Sequence, residues 1–332
     1  MKNNSLEKKG IASYGLVIVF ILASFFIVLA TKGVFTFLIP PSPTPDFEVV
    51  ASSWESRVVK VVCDGEQSTG FIAESKKEGN DNYLYIITSA HGVDQNPNSA
   101  IFTIGKKEYE SENLSVNSNI DVAVFKVKCA GRYSLPATVA PAIAKQVMAL
   151  GYEANEEITA EIGYVNKEVF VDQNSSLSSL LCYDISAFVN GGMSGCPILT
   201  ANGEFLGMGV RTKVTTQNGQ QVTYSADNYV VPAPIIFAEY DRAVEHNSKT
   251  ASEYTVQMVN GAIVVNVDNK QVVYQNGVVA IDDKKVEKVA NKTINNIVDF
   301  VEQISYYSNR NEDGEVRVKL EDEEILVKVV NE

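Results

Sequence analysis

The sequence predicts a mainly β protein, preceded by one transmembrane helix and followed by a small α+β module. An uncharged apolar stretch fills residues 11–31. Short runs rich in Val, Ile, Tyr and Thr recur from about residue 49 to residue 231, separated by Gly, Asn, Asp and Pro, and this pattern is typical of an all-β sandwich or barrel. After residue 252, strand-like runs alternate with a helical spacing. The 332 residues are enough for two domains and an anchor.

The apolar stretch 11–31 has about the length that a helix needs to cross a bilayer. Three lysines lie within residues 1–10 and Lys32 directly follows the stretch, so the positive-inside tendency predicts that residues 1–10 are a cytoplasmic tail. A cleaved signal peptide is the alternative, but the stretch is long for one and no clear Ala-x-Ala site follows it. We therefore favour an uncleaved signal anchor in the cell membrane, with the bulk of the chain outside the cytoplasm.

A linker is predicted over residues 32–48. It contains the run Pro40-Pro41-Ser42-Pro43-Thr44-Pro45. Because proline restricts the backbone to extended conformations, this run should form a semi-rigid spacer that lifts the next domain off the membrane.

Two folded units are predicted after the linker. Residues 49–248 form the β-rich domain, which closes with a helix over residues 232–246. Residues 252–332 form the α+β module, with three strands, a helix that Thr293 is expected to cap, and a hairpin over residues 315–330.

Composition excludes several classes of function. The formal net charge of −13 argues against a nucleic-acid partner, which requires a basic surface. The four cysteines show no Cys-x-x-Cys spacing, and with only two histidines in the chain we expect no metal site and no cofactor. Cys182 and Cys196 lie on either side of the Asn190 region, so a disulfide between them and two buried free thiols are both open alternatives.

Three local patterns together predict nucleophilic catalysis. His91 ends a strand-like run, Asp121 opens another, and Ser194 lies between glycines in Gly192-Met193-Ser194-Gly195. A serine hydroxyl is a poor nucleophile near neutral pH, so it needs a base such as histidine, and that base needs an orienting carboxylate. The order His, Asp, Ser along a β-rich chain is one of the known orders in which such a catalytic triad occurs. Taken singly, each residue is more simply a structural one.

The residues around these three positions resemble those of a known family. The similar segments are Gln67 to Ile72, Thr88 to His91, Asp121 to Lys126, Val147 to Gly151, Asp184 to Pro197, Gly203 to Gly207 and Asn228 to Pro232. On these segments, residues 58–246 look like the trypsin-like protease domain of the HtrA/DegP/DegS family. The resemblance implies two perpendicular six-stranded β-barrels with the catalytic residues in the cleft between them.

The resemblance also implies a role for each residue of the site. Ser194 would be the nucleophile, His91 the general base and then acid, and Asp121 the residue that orients it. The N–H groups of Gly192 and Ser194 would form the oxyanion hole. Two further sets would bind substrate: the strand residues Val210, Arg211 and Thr212, which would pair with an extended polypeptide, and Phe188 and Val189, which would line an apolar specificity pocket.

Two positions depart from the family pattern. Met193 stands where the family usually has Asn or Asp, so we expect no activation through an ion pair made by a cleaved N-terminus. Cys196 stands where the family usually has Gly, next to the nucleophile. Neither departure removes a catalytic group.

The C-terminal module, residues 252–332, resembles a shortened PDZ domain. Residues 277–286 look like the strand that ends in the turn Asp282-Asp283-Lys284, and residues 294–304 look like the helix beside the peptide groove. The glycine-rich carboxylate-binding loop of that family cannot be recognised in this sequence. The module could therefore equally bind peptides or serve as a scaffold or oligomer contact.

The leading hypothesis is therefore a membrane-anchored serine endopeptidase that acts on polypeptides outside the cytoplasm, in protein quality control or regulated proteolysis. The alternative is a catalytically impaired, membrane-tethered adaptor that binds proteins or peptides. Family resemblance further implies a homo-oligomer, a trimer or larger.

Overall fold

Three antiparallel β-sheets and three α-helices make up the part of the chain that the structure describes. The structure is a computed structural model, and it describes residues 46–154, 157–172, 180–217, 220–245, 254–307 and 315–328. The predicted cytoplasmic tail, the predicted anchor and all but the last three residues of the predicted linker lie outside the described residues. Within the described ranges, none of the helices combines the length and apolarity that crossing a bilayer requires.

Helix α1, Phe47–Trp54, overlaps the end of the predicted linker, which extends through residue 48. The linker prediction is wrong at this point because the prolines end at Pro45 and Asp46 caps the helix, its carboxylate accepting a hydrogen bond from Glu48 N at 2.9 Å. Trp54 at the other end is buried against Phe205, with the two rings 6.3 Å apart. The helix thereby anchors the start of the domain to its second half.

The first sheet has seven strands instead of the six that the family resemblance implied. Lys107–Glu110 folds back on Ile101–Ile104 as a hairpin and adds the extra strand at one edge. The order is β5-β4-β1-β2-β3-β7-β6. The strands are β1 Val58–Cys63, β2 Glu66–Glu78, β3 Asp81–Thr88, β4 Ile101–Ile104, β5 Lys107–Glu110, β6 Glu112–Asn117 and β7 Val122–Lys128.

Both faces of this sheet are buried at its centre, which explains the uninterrupted apolar runs Phe71–Ala73 in β2 and Leu84–Ile87 in β3. In β3, Leu84 and Ile86 face the inner core of the first sheet, whereas Tyr85 and Ile87 belong to the core that extends into the second half of the domain. Since successive side chains of a strand point to opposite faces, a strand buried on both faces cannot alternate apolar with polar residues.

The second sheet closes as a six-stranded barrel in the order β10-β13-β12-β11-β8-β9. This agrees with the barrel that the resemblance implied for the second half, whereas the described strand pairs of the first sheet do not close into a second barrel. The predicted mainly β, trypsin-like fold class is confirmed. The strands are β8 Gln146–Tyr152, β9 Ile158–Asp172, β10 Leu180–Ile185, β11 Cys196–Thr200, β12 Phe205–Gln217 and β13 Gln220–Pro232.

The disulfide considered between Cys182 and Cys196 is not formed. Cys182 lies on β10 and Cys196 on β11, and two strands separate β10 from β11 in either direction around the barrel. Neighbouring strands are about 4.8 Å apart, so strands three positions apart hold their Cβ atoms beyond disulfide reach unless they meet across the barrel interior. All four cysteines are free thiols, and Cys182 Sγ lies 3.6 Å from Leu180 O.

Helix α2, Ala233–Val244, closes the domain within the range predicted for it and packs against helix α3 of the C-terminal module. The module is a meander of antiparallel hairpins, with α3 between its last strands. Its elements are β14 Thr255–Val259, β15 Ala262–Val267, β16 Lys270–Gln275, β17 Val278–Ile281, β18 Lys284–Val289, β19 Lys292–Thr293, α3 Ile297–Tyr307, β20 Glu315–Leu320 and β21 Glu324–Lys328.

One prediction about this module is wrong in detail. Thr293 does not cap the helix, because it still pairs with β18, and Asn296 takes that place by accepting from Asp299 N at 3.0 Å. Within residues 277–286 the chain forms β17 and then turns where the sequence predicted a turn, because Asp282 and Asp283 both adopt positive φ and begin a hairpin.

Candidate active site

His91 and Asp121 are brought together at one edge of the first sheet. His91 belongs to a single turn of 3-10 helix, Ala90–Gly92, that directly follows β3, and Asp121 is the last residue of the turn between β6 and β7. His91 Nδ1 lies 2.7 Å from Asp121 Oδ2 and 3.0 Å from Oδ1. The carboxylate is fully buried, whereas the imidazole keeps 30% of its side-chain surface exposed. One edge of the ring is therefore held by the aspartate while part of the ring remains exposed to solvent.

Asp121 is anchored through its backbone as well as its side chain. Its Oδ1 accepts from His91 N at 2.8 Å and its carbonyl accepts from Ala90 N at 3.2 Å. Its φ of +56° lies in the left-handed region, where aspartate is one of the few residues found regularly. The turn can therefore present this carboxylate to His91 only in a fixed orientation.

Ser194 lies in the loop between β10 and β11, close to the same part of the first sheet. The Ser194 carbonyl accepts a hydrogen bond from Thr69 N at 2.8 Å. The carbonyl of Thr69 accepts in turn from Thr88 Oγ1 at 2.7 Å, and Thr88 lies three residues before His91 in the sequence. The Ser194 hydroxyl donates to Val210 O at 2.8 Å. Among the described residues, this is the hydrogen bond that Ser194 Oγ makes, and it makes none to His91. The structure thus joins two of the three predicted residues and leaves the serine hydroxyl directed elsewhere.

Two backbone N–H groups, those predicted to form the oxyanion hole, are oriented by the hydrogen bonds of the carbonyls that precede them. Gly191 O accepts from Ala154 N at 3.0 Å, and Met193 O accepts from Cys196 N at 2.9 Å. Because the N–H of a planar trans peptide points opposite to its carbonyl, the N–H groups of Gly192 and Ser194 point away from these anchored oxygens. Within the described residues, neither N–H donates to a protein acceptor. Such donors stabilise the negative charge that develops during acyl transfer.

Thr69 holds this loop, and the sequence analysis did not single it out. Its fully buried side chain donates to Gly192 O at 2.8 Å and accepts from Tyr152 N at 2.9 Å. One threonine on β2 thereby connects the loop that carries Ser194 to β8 of the barrel. The sequence marked this position only as part of a glycine-rich strand, because its partners lie 83 and 123 residues away.

Among the predicted substrate-binding residues, Val210 contacts Ser194 directly, through its carbonyl. Val189 is buried and its N–H donates to Asn228 Oδ1 at 3.1 Å, whereas Phe188 is half-buried. Asn228, also fully buried, is a second site residue that the sequence analysis missed. Arg211 and Thr212 pair with β13 through their backbones, and their side chains are outside what the structure describes.

The edge of β12 that would receive a substrate begins at Val210. The pairing of β11 with β12 ends at the pair Cys196–Gly209, and the ladder to β13 continues on the opposite side. Among the described strand pairs, the chain beyond Gly209 is therefore unpaired on the side of β11. An extended peptide can add to such an edge as an extra strand.

Met193 and Cys196, the two departures from the family pattern, are both fully buried. Met193 N donates to Asn190 O at 3.0 Å, which stabilises the turn before the serine. Burial raises the pKa of the Cys196 thiol to about 12. The thiol therefore remains protonated near neutral pH and packs as a small apolar group.

Cys196 is accordingly expected to resist alkylation by iodoacetamide near neutral pH in the folded protein. Only the thiolate reacts, and a pKa of about 12 in place of about 9 reduces its population by about a thousandfold, in addition to the steric protection of a buried atom. Peptide mapping by mass spectrometry should find the label on the half-buried Cys129 first. The matched control is Cys129→Ser, which should remove that early label. Rapid labelling of Cys196 in folded protein would contradict the burial described here.

The fold and the pairing of His91 with Asp121 are those expected of a trypsin-like peptidase domain. Residues 68–208 match the family described as the trypsin-like peptidase domain. The chain is also similar to the magnetosome formation protease MamE of Magnetospirillum gryphiswaldense, with 28% identity over 160 residues, or 45% of this chain and 19% of that protein. The match thus spans about a fifth of the curated relative's length.

Two solved structures are similar to the chain. One is the inactive form of Rv3671c from M. tuberculosis H37Rv carrying a serine-to-alanine mutation, with 23% identity and a TM-score of 0.47 over 61% of this chain and 94% of that one. The other is the Rv3671c protease in an inactive form, with 23% identity and a TM-score of 0.49 over 62% of this chain and all of that one.

Proposed function

We propose that this protein is a serine endopeptidase of the HtrA type, with Ser194 as nucleophile, His91 as general base and Asp121 as the residue that orients His91. The observation that carries the proposal is the hydrogen-bonded pair of His91 Nδ1 and the fully buried Asp121 carboxylate. A carboxylate in this position favours the tautomer with the proton on Nδ1, which leaves Nε2 as the acceptor that a nucleophilic serine needs.

The proposed reaction proceeds through an acyl-enzyme. Ser194 Oγ attacks the peptide carbonyl carbon while His91 Nε2 takes the hydroxyl proton, and the N–H groups of Gly192 and Ser194 bind the oxyanion. His91 then gives that proton to the departing amine as the C–N bond breaks. Water, deprotonated by His91, hydrolyses the ester and restores the Ser194 hydroxyl.

Substrate binding would also release the nucleophile. In the resting structure, Val210 O accepts a hydrogen bond from the Ser194 hydroxyl. A polypeptide that pairs with the edge of β12 brings its own N–H groups to that strand and competes for the same carbonyl. A rotation about the Ser194 χ1 angle, between staggered positions, would then direct the hydroxyl to His91.

Labelling by a biotinylated fluorophosphonate tests this proposal, because the probe reacts with activated serines. We expect labelling of the full chain, loss of labelling in Ser194→Ala and in His91→Ala, and retention in the control Ser134→Ala, which changes an exposed serine. If folded wild-type protein is not labelled, the proposal is wrong.

The same experiment decides the alternative, a catalytically impaired adaptor that binds proteins or peptides. One observation favours that alternative: the Ser194 hydroxyl donates to Val210 O and not to His91. Catalytic hydrogen bonds are often absent before substrate binds, however, so this geometry is compatible with an active enzyme.

Three further properties belong to the proposal. Residues 11–31 would anchor the protein in the cell membrane with its protease domain outside the cytoplasm, where it would act on polypeptides. The module over residues 252–332 would be PDZ-like. The protein would assemble as a trimer, in keeping with the family that it resembles.

A further inference from the structure

A buried polar cluster joins helix α2 to strand β6, outside the proposed catalytic residues. Ser115 and Asn117 lie on β6, and Glu239 and Arg242 lie on α2. Their exposed fractions are 7%, 7%, 4% and 2%. Burying a carboxylate and a guanidinium is costly unless their hydrogen bonds are satisfied, so the contacts inside the cluster determine what it does.

Glu239 is the centre of the cluster, and each of its oxygens accepts from both β6 and α2. Oε2 accepts from Asn117 Nδ2 at 3.1 Å and from Arg242 Nε at 2.9 Å. Oε1 accepts from Ser115 Oγ at 2.5 Å and also from the Arg242 guanidinium. The carboxylate therefore holds Asn117 from a position that Arg242 makes rigid.

Asn117 uses the other end of its side chain to hold a turn. Its Oδ1 accepts from Asn119 N at 3.1 Å. Its backbone pairs with Val122, and this pair closes the turn of residues 118–121 between β6 and β7. The turn ends at Asp121, whose left-handed φ of +56° depends on how the turn is folded.

We infer that Asn117, held by Glu239, is a positioning residue for Asp121. An asparagine side chain can donate to Glu239 and accept from Asn119 only in one orientation, because its donor and acceptor lie at opposite ends of the amide. The bond to Glu239 thus selects the orientation in which Asn117 holds the turn, and the turn sets the direction of the carboxylate toward His91. The inference rests on the proposed function for its effect on catalysis.

The position of the cluster gives it a second neighbour. Helix α2, which carries Glu239 and Arg242, also packs against α3 of the C-terminal module. The cluster therefore lies between that module and the turn that presents Asp121. A displacement of α2 would reach the proposed active site through Asn117.

An exchange of charge between two residues tests the inference. Asn117→Asp removes the donor and places a second carboxylate against Glu239, and Glu239→Gln alone removes the charge that Arg242 pairs with. In the double variant Asn117→Asp/Glu239→Gln, the introduced amide on α2 can donate to the introduced carboxylate on β6, which still accepts from Asn119 N, and the total charge is unchanged. Ser115→Ala is the matched control, because it removes the hydrogen bonds of Ser115 with Glu239 and with Arg242 and leaves the contact of Asn117 with Asn119 intact.

The kcat of each variant is normalised to the fraction of sites that a fluorophosphonate titrates. We expect this kcat to fall by about tenfold to a hundredfold in Asn117→Asp, since small misplacement of a catalytic group has effects of this size. KM should change little, and the double variant should recover most of kcat. Ser115→Ala should lose stability and keep kcat. Asn117→Ser, neutral and too short to reach Glu239, should show the same loss of kcat if Asn117→Asp does not fold.

A second readout does not depend on activity. The chain has only two histidines, so the proton on His91 Nδ1 can be assigned by NMR in a Ser194→Ala background, with His246→Gln for reference. Its low-field resonance should be lost or broadened in Asn117→Asp and restored in the double variant. If all folded variants keep the wild-type resonance and kcat, the inference is wrong, whereas wild-type protein without fluorophosphonate labelling would overturn the proposed function alone.

Discussion

Asp121→Asn is expected to lower kcat by about four orders of magnitude while the protein stays folded, as the equivalent change does in other serine protease triads. Asp121 accepts twice from His91, through Nδ1 and through the backbone N–H. An asparagine amide can replace only one of these acceptors, and its NH₂ group would face whichever donor remains. The imidazole would then be held with its proton on Nε2, where it cannot accept the proton of Ser194.

Kinetics on a peptide substrate and circular dichroism together check this prediction. The matched control is Asp94→Asn, which changes an acidic residue three positions from His91 that makes no side-chain hydrogen bond to it among the described residues. The control should keep kcat within about twofold, as expected of a polar substitution that removes no contact. If Asp121→Asn retains more than a tenth of the wild-type kcat, Asp121 does not have the proposed role.

Gly195→Ala is expected to have the second large effect, on stability and on activity together. Gly195 has a φ of +94°, and a Cβ added there would lie 1.8 Å from the backbone oxygen of Thr69. That oxygen cannot move away easily, because Thr69 is hydrogen-bonded to Ser194 and to Thr88. Combining backbone strain with overpacking, we expect a loss of about 2–6 kcal/mol in the free energy of unfolding.

Urea unfolding and fluorophosphonate labelling measure the two effects of Gly195→Ala. Gly191→Ala is the control for stability, because a Cβ at that position meets nothing within 4 Å and its φ is not in the left-handed region. Its free energy of unfolding should stay within about 0.5 kcal/mol of wild type. Equal stability of the two variants would show that the close approach of Gly195 to Thr69 is not real.

Much of the proposed site was predictable because each residue has a local signature. His91 follows a strand, Asp121 opens one, and glycines flank Ser194. These signatures span only a few residues each, so they can be recognised in the sequence without knowing which strands pair. The closing helix was predicted for the same reason, since helical spacing and Pro232 both lie within one segment.

Other features were missed or mistaken because they depend on distant partners. Thr69 and Asn228 are ordinary polar residues of strands until the nucleophile loop and Val189 are brought to them. The extra strand β5 and the placement of Thr293 in a strand depend on pairing with neighbours. The membrane anchor, the specificity pocket and the oligomer stay predictions.

The sequence by itself determined the mainly β fold class, the three residues proposed for catalysis and the backbone freedom of the loop around Ser194, because strand periodicity, residue chemistry and glycine are local properties. Only the tertiary structure decided that Cys182 and Cys196 stay apart, that the Ser194 hydroxyl donates to Val210 O, and that Glu239 on α2 holds Asn117 and the turn before Asp121. The contacts of the Ser194 hydroxyl and of Glu239 join segments as far as 122 residues apart, and the packing of two sheets and a helix creates them.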